Sequence, residues 1–421
     1  MNRIVSSLAL LSLTTSLSAN EWSRFRGPNG TGVGSADGIP VAFTEDDLNF
    51  KTALPGGSGC GSPVVWGERV FVLSADPKTA TRYMNCIHGK SGKVLWSKEY
   101  KSESHRLHTR SSYASCTPAA DKDYVYVAWS TPSSTLLKAF RHEDGAEAWS
   151  RDLGTWQSQH GFGTSPIVYG DLVILHNSQQ AAQLKPGEEP GRSRMTAFER
   201  TTGEVKWSTD LVSKNVCYSV PFIHKGKDGR DELICSSTGN GIFSLDPLTG
   251  SQKWSLNDGL FAMRTVGSPI AAGGHIFGST GSGRYSSNYI VAVEPGANAK
   301  LAYKIENGSN FKAPYVPCLI ADGDLVFCLY DKGFASCVNA RSGEVLWIER
   351  TGAALSGSPI RVGNRIYAVD ESGVVWVWAA SETYKLLGKS DLGEESRSTP
   401  AVANGQMYIR TYGHLVSVGG K

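Results

Sequence analysis

Eight prolines, at 63, 118, 166, 221, 269, 317, 359 and 400, each open the same phrase: an apolar strand, a tight turn and a second apolar strand. GSPVVWGERVFVL (61–73), TSPIVYGDLVILH (164–176) and GSPIRVGNRIYAV (357–369) are clear copies, and YSVPFIHKGKDGRDELICS (218–236) carries an expanded turn. The gaps between these prolines are 55, 48, 55, 48, 48, 42 and 41 residues. A second phrase follows the first. AFERTTGEVKW (197–207) has near copies at 86–96, 139–149, 244–254 and 337–347. They end at Trp96, Trp149, Trp207, Trp254 and Trp347, and Tyr303 takes the place in AVEPGANAKLAY (292–303). Two strands in each phrase make a four-stranded unit, here A to D. A four-strand unit repeating at this period predicts a β-propeller.

Burial gives the physical reason. A four-stranded sheet that is apolar on both faces cannot cover either of them alone. Stacking such sheets radially hides both. An aromatic residue on the outermost strand is then placed to wedge against the next blade. Gly92, Gly145, Gly203, Gly250 and Gly343 fall in the C–D turns, where a left-handed backbone conformation favours glycine.

The prolines count eight blades of antiparallel strands in an all-β fold. The last unit (398–418) supplies three strands, so its missing outer strand is expected from NFKTAL (49–54), closing the ring and removing two sheet edges. Seven blades plus an irregular cap is the competing count. The seventh unit lacks the outer Trp and offers VVWVWAA (374–380) and YKLLG (384–388) instead.

In a propeller the A–B and C–D turns share one face, and the B–C and D–A loops share the other. Here the A–B turns are mostly minimal, whereas segments such as 97–115, 150–163, 177–193, 279–288 and 388–398 are long and irregular. Long loops gathered on one rim are where binding concentrates. His105 and Arg110 on the first of these loops, and Trp156 and His160 on the second, are candidate rim residues. Arg264 and Arg397 stand a few residues before the proline of their blade, which places them near the central channel. There each would bind an anion or pair with a carboxylate such as Glu395. His105 and His108, three apart among arginines, make a poor metal site, and GSTGSGR (278–284) lacks the helix that a phosphate loop needs.

Composition narrows the function classes. The 42 basic and 39 acidic residues leave a net charge of +3, which gives no bulk preference for nucleic acid. The opening MNRIVSSLALLSLTTSLSAN, one cation before a short apolar run, reads as a secretory signal peptide over 1–19, with a retained anchor as the alternative. The chain from residue 20 onward is then expected to be periplasmic or secreted. Its eight cysteines contain no CxxC and no adjacent pair. Disulfides, including a Cys328–Cys337 bridge, and buried free thiols both remain open.

The A-x-(D/E)-x-x-T-G-x-x-x-W pattern, best matched by Ala197, Glu199, Thr202, Gly203 and Trp207, resembles the tryptophan-docking motif of quinoprotein dehydrogenase-type propellers. With the opening WSRFRGPNGTGV (22–33), nearly the whole chain resembles bacterial exported PQQ-binding-like β-propeller repeat proteins. It is similar also to the propeller subunit of the outer-membrane protein assembly machinery. The resemblance implies an eight-bladed fold with Trp96, Trp149, Trp207, Trp254, Tyr303 and Trp347 as blade-docking residues. Quinoprotein dehydrogenases of this kind stack PQQ on a disulfide of neighbouring cysteines and hold calcium with Glu, Asn and Asp. No catalytic, cofactor-binding or metal residue carries over to this chain, because the adjacent cysteine pair is missing and the calcium ligands find no matching positions. The expectation is a monomeric, non-catalytic module binding a protein or cell-envelope polymer through its loop-rich face, without cofactor. The alternatives are a PQQ- and calcium-dependent oxidoreductase with a divergent site, or a hydrolase or lyase on the same rim.

Overall fold

The computed structural model describes residues 21–283 and 287–420, and the expected signal peptide lies outside them. Eight antiparallel sheets of four strands each form an eight-bladed propeller. Blade 3 is representative: Ile167–Tyr169, Leu172–Asn177, Arg194–Glu199 and Val205–Asp210 run from the channel outward. Strands B and C are the most buried and build the cores between blades. The eight-blade count holds, and the ring closes through Leu48–Ala53, which pairs antiparallel with His414–Val418.

The repeated phrase has a local cause. Within the C–D turn of blade 3, the Glu199 carboxylate accepts the Thr201 and Thr202 amides at 2.9 and 2.6 Å. Asp246 does the same for Leu248 and Thr249, and Asn339 for Arg341 and Ser342. The acidic or amide position is therefore a turn cap. A bulge precedes the outer aromatic residue and turns it toward the next blade, as between Ala197 and Phe198. Trp149 Nε1 then donates to the Arg200 carbonyl at 2.8 Å, and its ring covers Gly203 so closely that a Cβ there would lie 2.6 Å away.

The same geometry recurs for Trp96 on His142 and Gly145, Trp207 on Pro247 and Gly250, and Tyr303 on Ala340 and Gly343. Trp347 donates to Ser381. Trp254 differs. The turn of blade 5 lacks the motif, and Trp254 Nε1 bonds Glu232 of its own blade at 2.7 Å while packing beside Ile276 and Val293 of blade 5.

Hydroxyls just before the prolines link the blades around the channel. The Ser62 amide donates to Thr117 Oγ1, Thr117 to Ser165, Ser358 to Thr399, and Thr399 back to Ser62, at 2.9 to 3.1 Å. Val220 donates to Ser268, whose amide meets the Cys318 thiol, and the Cys318 amide donates to Ser358.

Residues 22–34 cross the channel at the end nearer the A–B turns. Trp22 pairs with Val65 of blade 1, Ser23 accepts from Ala120 of blade 2, and Asn29 exchanges hydrogen bonds with Ile223 of blade 4. Val33 and Gly34 add a short parallel strand beside Arg361 and Val362 of blade 7.

All eight cysteines are free, seven of them buried. A Cys328–Cys337 bridge is excluded by register. Cys328 faces Ser336 and Cys337 faces Phe327, so the two thiols point to opposite sides of blade 6 and into different cores.

Candidate functional site

The loops between blades put charged groups on the channel mouth at the face opposite the short turns. Arg110, on the loop from blade 1 to blade 2, reaches Asp331 Oδ1 at 3.4 Å and Glu371 at 4.0 Å. Arg397 approaches Glu371 at 3.7 Å and donates to the Thr109 carbonyl at 2.6 Å. The expected pairing of Arg397 with Glu395 does not form; Glu371, on the B–C loop of blade 7, lies nearer. Arg264 is buried and donates to Gln159 Oε1 at 3.2 Å, with no carboxylate partner among the described residues. His108 and His160 meet edge to face with ring centroids 4.7 Å apart.

The electrostatics of the mouth follow from burial. Desolvation, then Arg264 and then His108, pushes the His160 imidazole down to about 4, which keeps it neutral near pH 7. Burial also lowers His108, assisted by Arg110, Arg264 and Arg397. Asp331, 1% exposed, is pushed up to about 6 by burial against the opposing pull of the Tyr315 amide and Arg110. It accepts the Tyr315 and Val316 amides at 2.7 and 3.1 Å.

Below the mouth lies a cavity of about 110 Å³ lined by Tyr218, Arg397 and the hydroxyls of Ser62, Thr117, Ser165, Ser358 and Thr399, with Phe25 at its floor. Such a space, with its few fixed polar groups, suits a small polar ligand.

Of the six rim candidates, Arg110, His160, Arg264 and Arg397 come together here, while His105 and Trp156 do not. His105 packs on Tyr113 at 5.0 Å and its amide donates to the Tyr113 hydroxyl. Trp156 packs edge to face on Phe162. Asp331, Glu371, Tyr218 and Tyr315 are site residues that sequence reasoning missed. The hydroxyl belt had a visible signal, a Ser or Thr before most of the eight prolines.

The fold's quinone cofactor finds no matching set of groups. The cysteines sit apart as free thiols, so no disulfide of neighbours exists to stack a planar ring. Among the described residues, no three His, Cys, Asp or Glu side chains gather to hold a metal ion.

The family profile described as outer membrane protein assembly factor BamB matches residues 41–155, 85–349 and 331–418. The chain belongs to that family of PQQ-like propellers. Among its relatives, the outer membrane protein assembly factor BamB of Escherichia coli K12 is 25% identical over 73% of this chain and 74% of its own. The tetrathionate hydrolase of Acidithiobacillus ferrooxidans is 24% identical over 58% of this chain, a match that spans 46% of the hydrolase. In structure, BamB from Moraxella catarrhalis superposes with a TM-score of 0.60 at 16% identity, covering 88% of this chain and 96% of that one. The quinohemoprotein alcohol dehydrogenase of Comamonas testosteroni gives 0.65 at 14% identity, over 96% and 81%. At such identities the structural likeness is one of fold. Among the described residues, no helix is long and apolar enough to cross a membrane.

Proposed function

We propose that this PQQ-like propeller is an exported, non-catalytic and monomeric binding module of the cell envelope. It engages a protein or an envelope polymer through its loop-rich face. The observation that carries the reading is the convergence of Arg110, Arg264 and Arg397 from three separate inter-blade loops, with Asp331, Glu371 and two histidines, on one mouth. Such a mixed-charge rim, borne on a rigid ring, orients and selects a partner more than it drives affinity. The match to an outer membrane protein assembly factor supports an envelope role, and the poor fit of the quinone set favours binding over oxidation.

Site-specific photocrosslinkers test this in the native envelope. Placed at Arg106 and Gln183 on the loop-rich face, they are expected to trap a discrete partner. Placed at Glu68 and Asp228 on the turn face, they are not. Equal yields from both faces, or adducts from the turn face alone, would reject the assignment.

A further inference from the structure

Two of the eight cysteines stand apart from the blade cores. Cys86, Cys116, Cys235, Cys328 and Cys337 pack among apolar side chains between blades. Cys60, ahead of the inner strand Val64–Trp66 of blade 1, and Cys318, ahead of Ile320–Asp322 of blade 6, instead line the 110 Å³ cavity of the channel. Cys60 is partly exposed and Cys318 is buried. A thiol in an apolar core is inert, because nothing there supports the anion that reacts; a cation or an N–H donor beside the sulfur does support it.

Each cavity thiol is backed by an arginine that is 0% exposed. Arg410 clasps the backbone on both sides of Cys60: Nη1 donates to the Gly61 and Leu73 carbonyls at 2.9 and 2.6 Å, and Nη2 to Ser58 at 3.0 Å. Arg26 Nη2 donates to the Leu319 carbonyl at 2.6 Å, while its Nε and Nη1 have no hydrogen-bond partner. The chain at Gly32 closes over Arg26, so the guanidinium meets the channel only through its neighbours. One of those is Cys318. Burial lowers the Arg26 guanidinium, and the Cys318 sulfur is the group that opposes the drop. Burial likewise lowers Arg410 to about 10, with Cys60 and then Glu394 opposing. Burial raises the Cys60 thiol, against the pull of Ser112, Arg410 and Arg397. The Ser268 amide adds a donor to the Cys318 sulfur at 3.1 Å. A guanidinium buried without an anion carries a desolvation cost that nothing returns. An anionic Cys318 sulfur is the counter-ion that Arg26 lacks.

The space in front of the thiols suits a small molecule. A water needs roughly 10–15 Å³ by the same measure, so the cavity admits several heavy atoms. The hydroxyls of Ser62, Thr117, Ser165, Ser358 and Thr399 border it and can bond a polar substituent.

We propose that the channel is a covalent capture site for small disulfides, with Cys318 and Cys60 as its nucleophiles. The step is thiol–disulfide exchange. The cysteine sulfur attacks one sulfur of R–S–S–R, and a Cys–S–S–R bond forms as the incoming S–S bond breaks. The R–S⁻ fragment leaves with the electron pair and takes up the proton that the cysteine gave. The incoming disulfide is itself the oxidant. The site stands independently of the partner of the rim, because it lies inside the ring.

The test treats the purified protein at neutral pH with 2-hydroxyethyl disulfide, quenches it in acid and maps the adducts by peptide mass spectrometry. Mercaptoethanol adducts are expected on Cys318 and Cys60 at least about tenfold faster than on the core cysteines. Glutathione disulfide, too large for the cavity, is expected to label both at least about tenfold more slowly, once each rate is divided by that of a small thiol in solution. Arg26→Gln is expected to slow Cys318 about tenfold relative to Cys60 in the same chain, and an unchanged ratio would overturn the role given to Arg26. Should that variant fail to fold, the map of the unaltered protein still decides. No adduct on Cys318, or labelling of the core cysteines at the same rate, would overturn the site.

Discussion

At Gly250 the backbone is left-handed (φ +71°), and a Cβ would lie 2.3 Å from Cε3 of Trp207 on the neighbouring blade. Alanine there meets both a conformational penalty and a ring that cannot move without opening the blade contact. Gly250→Ala is expected to cost at least about 2 kcal/mol in denaturant unfolding. Gly229→Ala, at φ +77° in open space, is the control and should lose only about 1 kcal/mol. The mouth offers a second residue-scale prediction. His160 binds its proton less tightly folded, near 4, than unfolded, near the ordinary 6.5. The folded state is therefore favoured above pH 6.5, and that contribution is lost as pH falls toward 4. Asp331 runs the other way: its pKa is raised from 3.8 to about 6, so its contribution is present below pH 3.8 and is lost as pH rises through 6. His160→Gln should reduce the acid-side fall in melting temperature between pH 6.5 and 4, and Asp331→Asn should deepen it. Melting curves of the three proteins across that range decide whether the signs are right. The turn glycines were legible as a repeated letter. Asp331 was not, because its partner Arg110 lies 221 positions away and only the closed ring brings them together.

Strands carry the repeat, and the element that departs from it is the most instructive. Leu48–Ala53 contains no Trp, yet Phe50 covers Gly92 of blade 1, where a Cβ would lie 2.5 Å from the ring. Thr52 donates to the Gly92 carbonyl at 2.7 Å, as Thr209, two residues after Trp207, donates to Gly250 at 2.6 Å. Phe50 therefore docks blade 8 on blade 1. Phe50→Ala is expected to cost about 3 kcal/mol, close to a core truncation although the ring is only half-buried, because it loosens the single closure of the ring. Phe50→Trp should lose much less. Denaturant midpoints of both variants check this, and equal losses would show that aromatic docking is not what holds the strand. The closing strand was legible from the missing fourth strand of the last unit, whereas its docking residue was hidden because Phe50 stands more than 300 residues from the rest of its blade and outside the repeated phrase. The hydroxyls before the prolines were visible as a repeated position, but their role was not. Serine and threonine are common in loops, and only the ring shows each one accepting an amide from the blade beside it.

On the scale of the whole molecule, the ring sets what the channel can hold. A closed propeller fixes the distance between opposite inner strands, so the ligand space is decided by which side chains point inward. Here the crossing segment contributes Phe25 to the lining, and the small hydroxyl side chains leave a cavity of about 110 Å³. The solved quinohemoprotein alcohol dehydrogenase shares the ring, and fold alone does not transfer chemistry. A planar quinone would need a flat, sulfur-backed slot in the mouth. This mouth instead presents Arg110, Arg264 and Arg397 crossed by the Asp331 and Glu371 carboxylates. A ligand that bound the folded state would raise the melting temperature by mass action, by about 2.7 kcal/mol of stability at one hundred times its Kd. Adding PQQ with calcium is therefore expected to leave the melting temperature unchanged and to yield no alcohol-dependent dye reduction. A saturable rise with the quinone, absent with calcium alone, would show that the mouth rearranges to admit it and would return the oxidoreductase reading to first place. The Arg264→Ala variant separates the two cases: loss of a quinone response there places the ligand in the mouth, and its persistence places the ligand elsewhere on the ring.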